Sequence, residues 1–155
     1  MNARKATHSG ILSLAAILLT LAFALIVHFA EFGTPVIYVF IAIMAIFSAL
    51  WMAIRKTDSG IAVAVYGLLS LLPIIGFGIV NGFWNHLVKL LLFSLHGNQL
   101  PSPMAGLFAS PNFGSPLVET AGVLSFLCAM VAAVATARFV REEWKEKKDT
   151  REDRL

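Results

Sequence analysis

The chain holds one cysteine, Cys128, among 155 residues, so no intramolecular disulfide can form. Thiol–disulfide exchange normally needs a resolving thiol, and none is present. Charge is equally scarce through the middle of the chain. Only 14% of all residues are charged, and between positions 59 and 137 only Lys89 and Glu119 carry formal charge. A soluble domain has about a quarter of its residues charged, so a water-facing surface of ordinary extent is excluded. There is no contiguous basic face of the kind a nucleic-acid duplex requires, despite a net charge of +3, and nucleic acid is not an expected partner. A glycine-rich phosphate loop, an H-E-x-x-H pair and a credible serine triad are all missing. Each of those absences removes a familiar catalytic class.

What the chain does have is apolar length. Hydrophobic residues make up 58% of it, and the mean hydropathy is +0.80. Eleven of the twelve basic residues fall into three groups: Arg4–Lys5, Arg55–Lys56 and seven between Arg138 and Arg154. Apolar runs separate these groups. Lysine and arginine are retained on the cytoplasmic side during insertion, so their placement sets the number and direction of crossings. The pattern predicts an all-α integral membrane protein, a bundle of four transmembrane helices with both termini cytoplasmic. A cell (inner or plasma) membrane is the expected location, with the whole chain forming one membrane domain in contact with the lipid bilayer.

Spans are expected over about 10–29, 36–54, 60–80 and 117–140, each near the roughly twenty residues that cross a hydrocarbon core. In the first, Ala22-Phe23-Ala24 resembles a signal-peptidase site. The apolar run continues past it through Val27, which favours a retained helix. Thr34-Pro35 and Ser115-Pro116 read as cap-then-proline starts for the second and fourth helices. Asp58-Ser59-Gly60 is the start signal for the third, and Pro73 should bend that helix. Ser125, Ala129, Ala133 and Ala137 recur every four residues along the fourth helix and predict a close helix contact. Thr20, Ser48, Ser70 and Ser125 are expected to form hydrogen bonds at helix contacts. Residues 141–155 form a charged cytoplasmic tail that can prolong the fourth helix, and Trp144 belongs at the inner interface.

The segment from Asn81 to Gly97 is the most individual part of the chain. As a helix it places Asn81, Asn85, Lys89 and His96 within an arc of about 80°. A fifth crossing would carry the basic tail outside, so the segment is expected to lie in the outer interface or to re-enter the bundle. An external loop with three prolines should follow, to residue 115.

This topology gathers the remaining ionisable residues on the outer side. His28 and Glu31 share a face if the first helix reaches that far. His28, Glu31 and His86 form a candidate site for a transition metal such as Zn²⁺, Cu²⁺ or Fe²⁺. Asn85, Lys89, His96 and Glu119 are candidates for a ligand or a partner protein. No catalytic residue is assigned. The favoured expectation is a non-catalytic accessory or assembly component of a larger membrane system. Alternatives are a metal-handling protein and a small oligomeric transporter or channel using the Pro73/Gly76/Gly78 bend. A homo-oligomer is the other expected association.

Overall fold

The fold was analysed in a computed structural model, which describes residues 3–57, 60–97, 100–111 and 113–152, with side chains from His8 to Asp149. The expected start signal at Asp58-Ser59 lies outside the described residues. Among those described, all regular structure is helical. Four long helices run α1 (Ala3–Phe32), α2 (Pro35–Lys56), α3 (Gly60–His96) and α5 (Pro116–Glu152), with one short turn, α4 (Ser102–Ala105), between the last two. All four long helices are long and apolar enough to cross a membrane.

Successive long helices run antiparallel. At one end Ser9 of α1 donates to Glu142 of α5 at 2.6 Å, and Gly60 of α3 abuts the Trp144 ring. Lys147 reaches the end of α2 there, donating to the carbonyls of Ile54 at 3.2 Å and of Thr57. Those carbonyls are among the unsatisfied acceptors of a helix C-terminus, where a cation is favoured. The early part of α1 and the late part of α5 therefore share one end of the bundle.

The helix boundaries follow from local chemistry, with two departures from expectation. Gly33 takes φ +73° and closes α1, its N–H bonded to the Phe29 carbonyl at 2.9 Å. Ser115 caps α5 as expected, accepting from Val118 N–H at 3.3 Å. Thr34, by contrast, makes no side-chain cap. Its backbone is already helical, whereas a capping residue needs an extended backbone to bring its oxygen onto the first free N–H groups.

The second departure concerns α3. The expected break near residue 80 is absent: the chain runs from Gly60 to His96 as one helix of 37 residues. From Leu72 to Val88 it is wound in π form, with wider turns than the flanking α-helical stretches. Pro73 sits at the start of that winding, where its missing N–H breaks the α-helical ladder. The Asn81–Gly97 segment is accordingly the far end of α3 rather than a separate helix, and Gly97 at φ +74° terminates it.

All four long helices contribute to the core, α2 through Phe40, Phe47 and Ile54. Ile17, Leu21 and Ala24 of α1 are fully buried, as are Val63 and Tyr66 of α3 and Phe139 of α5. Tyr66 stands edge-on between Phe47 and Phe139, with ring centroids at 5.9 and 5.6 Å. Ser13 ties three helices together through Tyr66 Oη at 2.9 Å and Thr136 Oγ1 at 2.6 Å. The hydroxyls of Thr20, Ser48 and Ser70 bond back to carbonyls four residues earlier in their own helices. Of the four expected contact residues, Ser125 alone bonds across helices, to the Thr20 and Phe77 carbonyls.

Candidate functional site

At the opposite end of the bundle from the Ser9–Glu142 contact, α3 and α5 approach closely enough for backbones to touch. A Cβ at Gly78 would collide with Ala129, and one at Gly82 would lie 2.6 Å from the Gly122 carbonyl. A Cβ at Gly122 would enter the His86 ring, 2.7 Å from its Nδ1. Gly78 and Gly82 thus let the two helices close, and the missing Cβ of Gly122 leaves the room that the His86 ring fills. Lipid offers little hydrophobic drive for helices to associate, so close approach of this kind supplies much of the contact.

Glu119, in the first turn of α5, organises the site. Its Oε2 accepts from His86 Nδ1 at 2.9 Å, and its Oε1 accepts from Lys89 Nζ at 2.6 Å. The Gly114 N–H donates to Oε1 at 2.9 Å. His86, Lys89 and Glu119 are all under 5% exposed. A buried ion pair needs its remaining hydrogen-bonding capacity filled, and three donors on one carboxylate do much of that. Since a carboxylate only accepts, Nδ1 carries the ring proton in this bond. His86 Nε2 is left buried and without a hydrogen-bond partner.

These residues line a cavity of about 310 Å³, at the lower end of the range for small-molecule sites. Glu31 at the end of α1 stands on its exposed rim, and Asn81 and Asn85 of α3 complete one wall. Asn85 Nδ2 lies 3.4 Å from Asn81 Oδ1, while Asn81 Nδ2 is buried and unpartnered. Ala109 and Ser110 of the loop before α5 form part of the lining.

Aromatic side chains pin that loop down. Trp84 stacks on Phe108 at 5.4 Å and donates from its indole N–H to the Leu107 carbonyl at 2.9 Å. Phe93 packs edge-on against Phe113, with centroids 3.9 Å apart. Ala109 N–H donates to Asn85 Oδ1 at 3.3 Å. The loop is a roof fastened to α3, the same helix that supplies the cavity wall.

Of the seven candidate residues, the structure gathers five here: Glu31, Asn85, His86, Lys89 and Glu119. It places the other two elsewhere. α1 does extend to Phe32, as the shared face of His28 and Glu31 requires, but His28 turns into an aromatic pocket. Its Nδ1 donates to the Ala24 carbonyl at 2.9 Å, and Phe32, Phe40 and Phe77 surround the ring at 5.4 to 6.1 Å. His96 is exposed at the end of α3. Among the described residues, no three His, Cys, Asp or Glu side chains are grouped so as to hold a metal ion. Sequence reasoning missed the Gly114 N–H and the roof, and it read Gly122 only as a small residue beside the α5 contact series, not as the space for His86.

Comparison with protein-family models, with curated proteins and with solved structures finds no match for this chain.

Proposed function

We propose that this multi-pass chain is a non-catalytic accessory component of a larger membrane system, working from the cavity end of its bundle. The positive-inside trend supports placing that end on the extracytoplasmic side, with both termini in the cytoplasm. The observation that carries the proposal is the cavity itself. It has a buried, tightly bonded carboxylate–lysine–histidine network in its wall, unsatisfied polar atoms on His86 and Asn81, and a fastened roof. Such a site is built to hold a polar group. It offers little for covalent chemistry, because Glu119 already accepts from three donors and Cys128 lies outside the lining.

Photo-crosslinking in native membranes tests the reading. A benzophenone side chain replacing Ala109 should give one discrete protein adduct, and the same group replacing Leu95 should give none. Lipid adducts alone from Ala109 would refute a partner at this end. An adduct of twice the chain's mass would replace the accessory reading by a homo-oligomer.

One observation favours a second reading, metal handling. A histidine whose Nδ1–H is held by a carboxylate, leaving Nε2 unengaged, is the usual support for a metal ligand. Glu31 lines the same cavity. Protein equilibrated with zinc should then retain it stoichiometrically, lose it on H86A and keep it on H28A. For a transporter path through the Pro73/Gly76/Gly78 region, Pro73 is buried and Gly78 is sealed against Ala129, which leaves Gly76 as the open member of that bend.

A further inference from the structure

A second cavity lies near the other end of the bundle, between α3 and α5, and differs in kind. It measures about 510 Å³, and its walls are almost entirely apolar. Gly67, Leu71 and Ile74 form the α3 side, and Ala133, Ala137 and Val140 form most of the α5 side. Arg141, Trp144 and Lys145 close its outer end. Arg141 and Lys145 are four residues apart on a helix, so they stand one above the other on one face.

Both cations are exposed, and neither has an ion pair or hydrogen bond among the described residues. No neighbouring acid forms a salt bridge with either cation among the described residues. Glu142 is taken by Ser9, Glu143 is buried and Glu146 has a partner of its own. Trp144 is half exposed beside them, and tryptophan is the residue that settles at headgroup depth. An apolar trough ending in two exposed cations and a half-exposed indole is complementary to an amphiphile with an anionic head.

We propose that this groove binds one molecule of anionic phospholipid, an acyl chain lying along Gly67 and Ala137 and the phosphate between Arg141 and Lys145. The proposal rests on the membrane-spanning reading and is independent of the polar cavity. Basic pockets between membrane helices on the cytoplasmic side suit anionic headgroups, because the phosphate is held by charge while the chain fills an apolar space. Small residues along the trough keep it open. The Val140 side chain stands 3.2 Å from where a Gly67 Cβ would be, so α3 and α5 meet closely along the groove.

Native mass spectrometry of the full chain, released from mixed micelles of phosphatidylglycerol and phosphatidylcholine, tests it. The wild type should retain one phosphatidylglycerol with roughly tenfold preference over phosphatidylcholine. R141Q/K145Q should bring that preference close to one, without loss of fold, because both side chains are exposed. A137L, which fills the trough from an exposed position, should lower retention of both lipids. Glycerol phosphate, the head without its chains, should displace nothing. Equal retention of the two lipids by the wild type would overturn the proposal, as would a preference that survives R141Q/K145Q or displacement by glycerol phosphate. A lipid-free dimer abolished by A137L would also overturn it, assigning the groove to a second copy of the chain. Recovery of the protein from cells without detergent would instead remove the membrane reading beneath it.

Discussion

Glu119 shows how much a single side chain can organise in a bundle of apolar helices. It joins α5 to Lys89 and His86 of α3 and fixes the backbone at Gly114. Removing one member of a buried ion pair strands the other charge, which costs about 3–5 kcal/mol, whereas replacing both with apolar groups is often close to neutral. E119Q should therefore lower the unfolding midpoint in detergent far more than the triple change E119L/K89M/H86L, which also removes the buried histidine that donates to Glu119. Thermal unfolding of the two variants side by side checks this, and equal losses would mean that this network is not the unit of stability. The participants were legible in the sequence because Lys89 and Glu119 are the only charges across nearly eighty residues. Their partnership was not, since Lys89 could equally have snorkelled to the interface. His28 misled for a related reason: the sequence shows a histidine near a carboxylate but not three aromatic rings closing around it.

Among the elements, α5 shows where periodicity informs and where it drifts. Ser125, Ala129, Ala133 and Ala137 step by four residues, and each such step turns about 40° around the helix. Ser125 and Ala129 are consequently buried, Ala133 is half-buried and Ala137 is exposed. The buried seam instead steps by fours and threes, through Ala121, Ser125, Ala129, Ala132, Thr136 and Phe139. Such alternation keeps a seam facing its partner. The continuation of α3 through residue 80 was hidden because polar Asn81, Asn85 and Lys89 look costly inside a span. They become tolerable when they face one another and α5 across a cavity. Hydrogen bonds across the helices matter at this scale too. Y66F removes the phenol from the Ser13 hydroxyl while keeping the ring, and should cost about 0.6 kcal/mol, with an upper bound near 1.7. Reversible unfolding in mixed micelles measures it.

For the molecule as a whole, the four-helix architecture was the most legible feature, because apolar run length and basic clusters depend only on composition along the chain. The two ends of the bundle are chemically unlike. One carries the charged tail and the phosphate-compatible groove, and the other carries the roofed polar cavity. In a C128A background, L107C should react with a membrane-impermeant maleimide in intact cells, whereas K148C should react only after lysis. The reverse pattern would invert the bundle and with it both sites' surroundings.

The Glu119–Lys89 bond would also bear on how such a chain enters a bilayer. Translocon scales put a lone carboxylate or ammonium at a helix centre at about 2.5–3.5 kcal/mol against partitioning, and less toward the edge. Neither α3 nor α5 escapes that penalty alone. The two helices relieve each other only when they partition together, as a pre-paired hairpin. A ribosome still synthesising α5 would therefore be holding α3 in an unfinished state. Pairing of α3 with α5 would then be the step on which insertion of this chain waits.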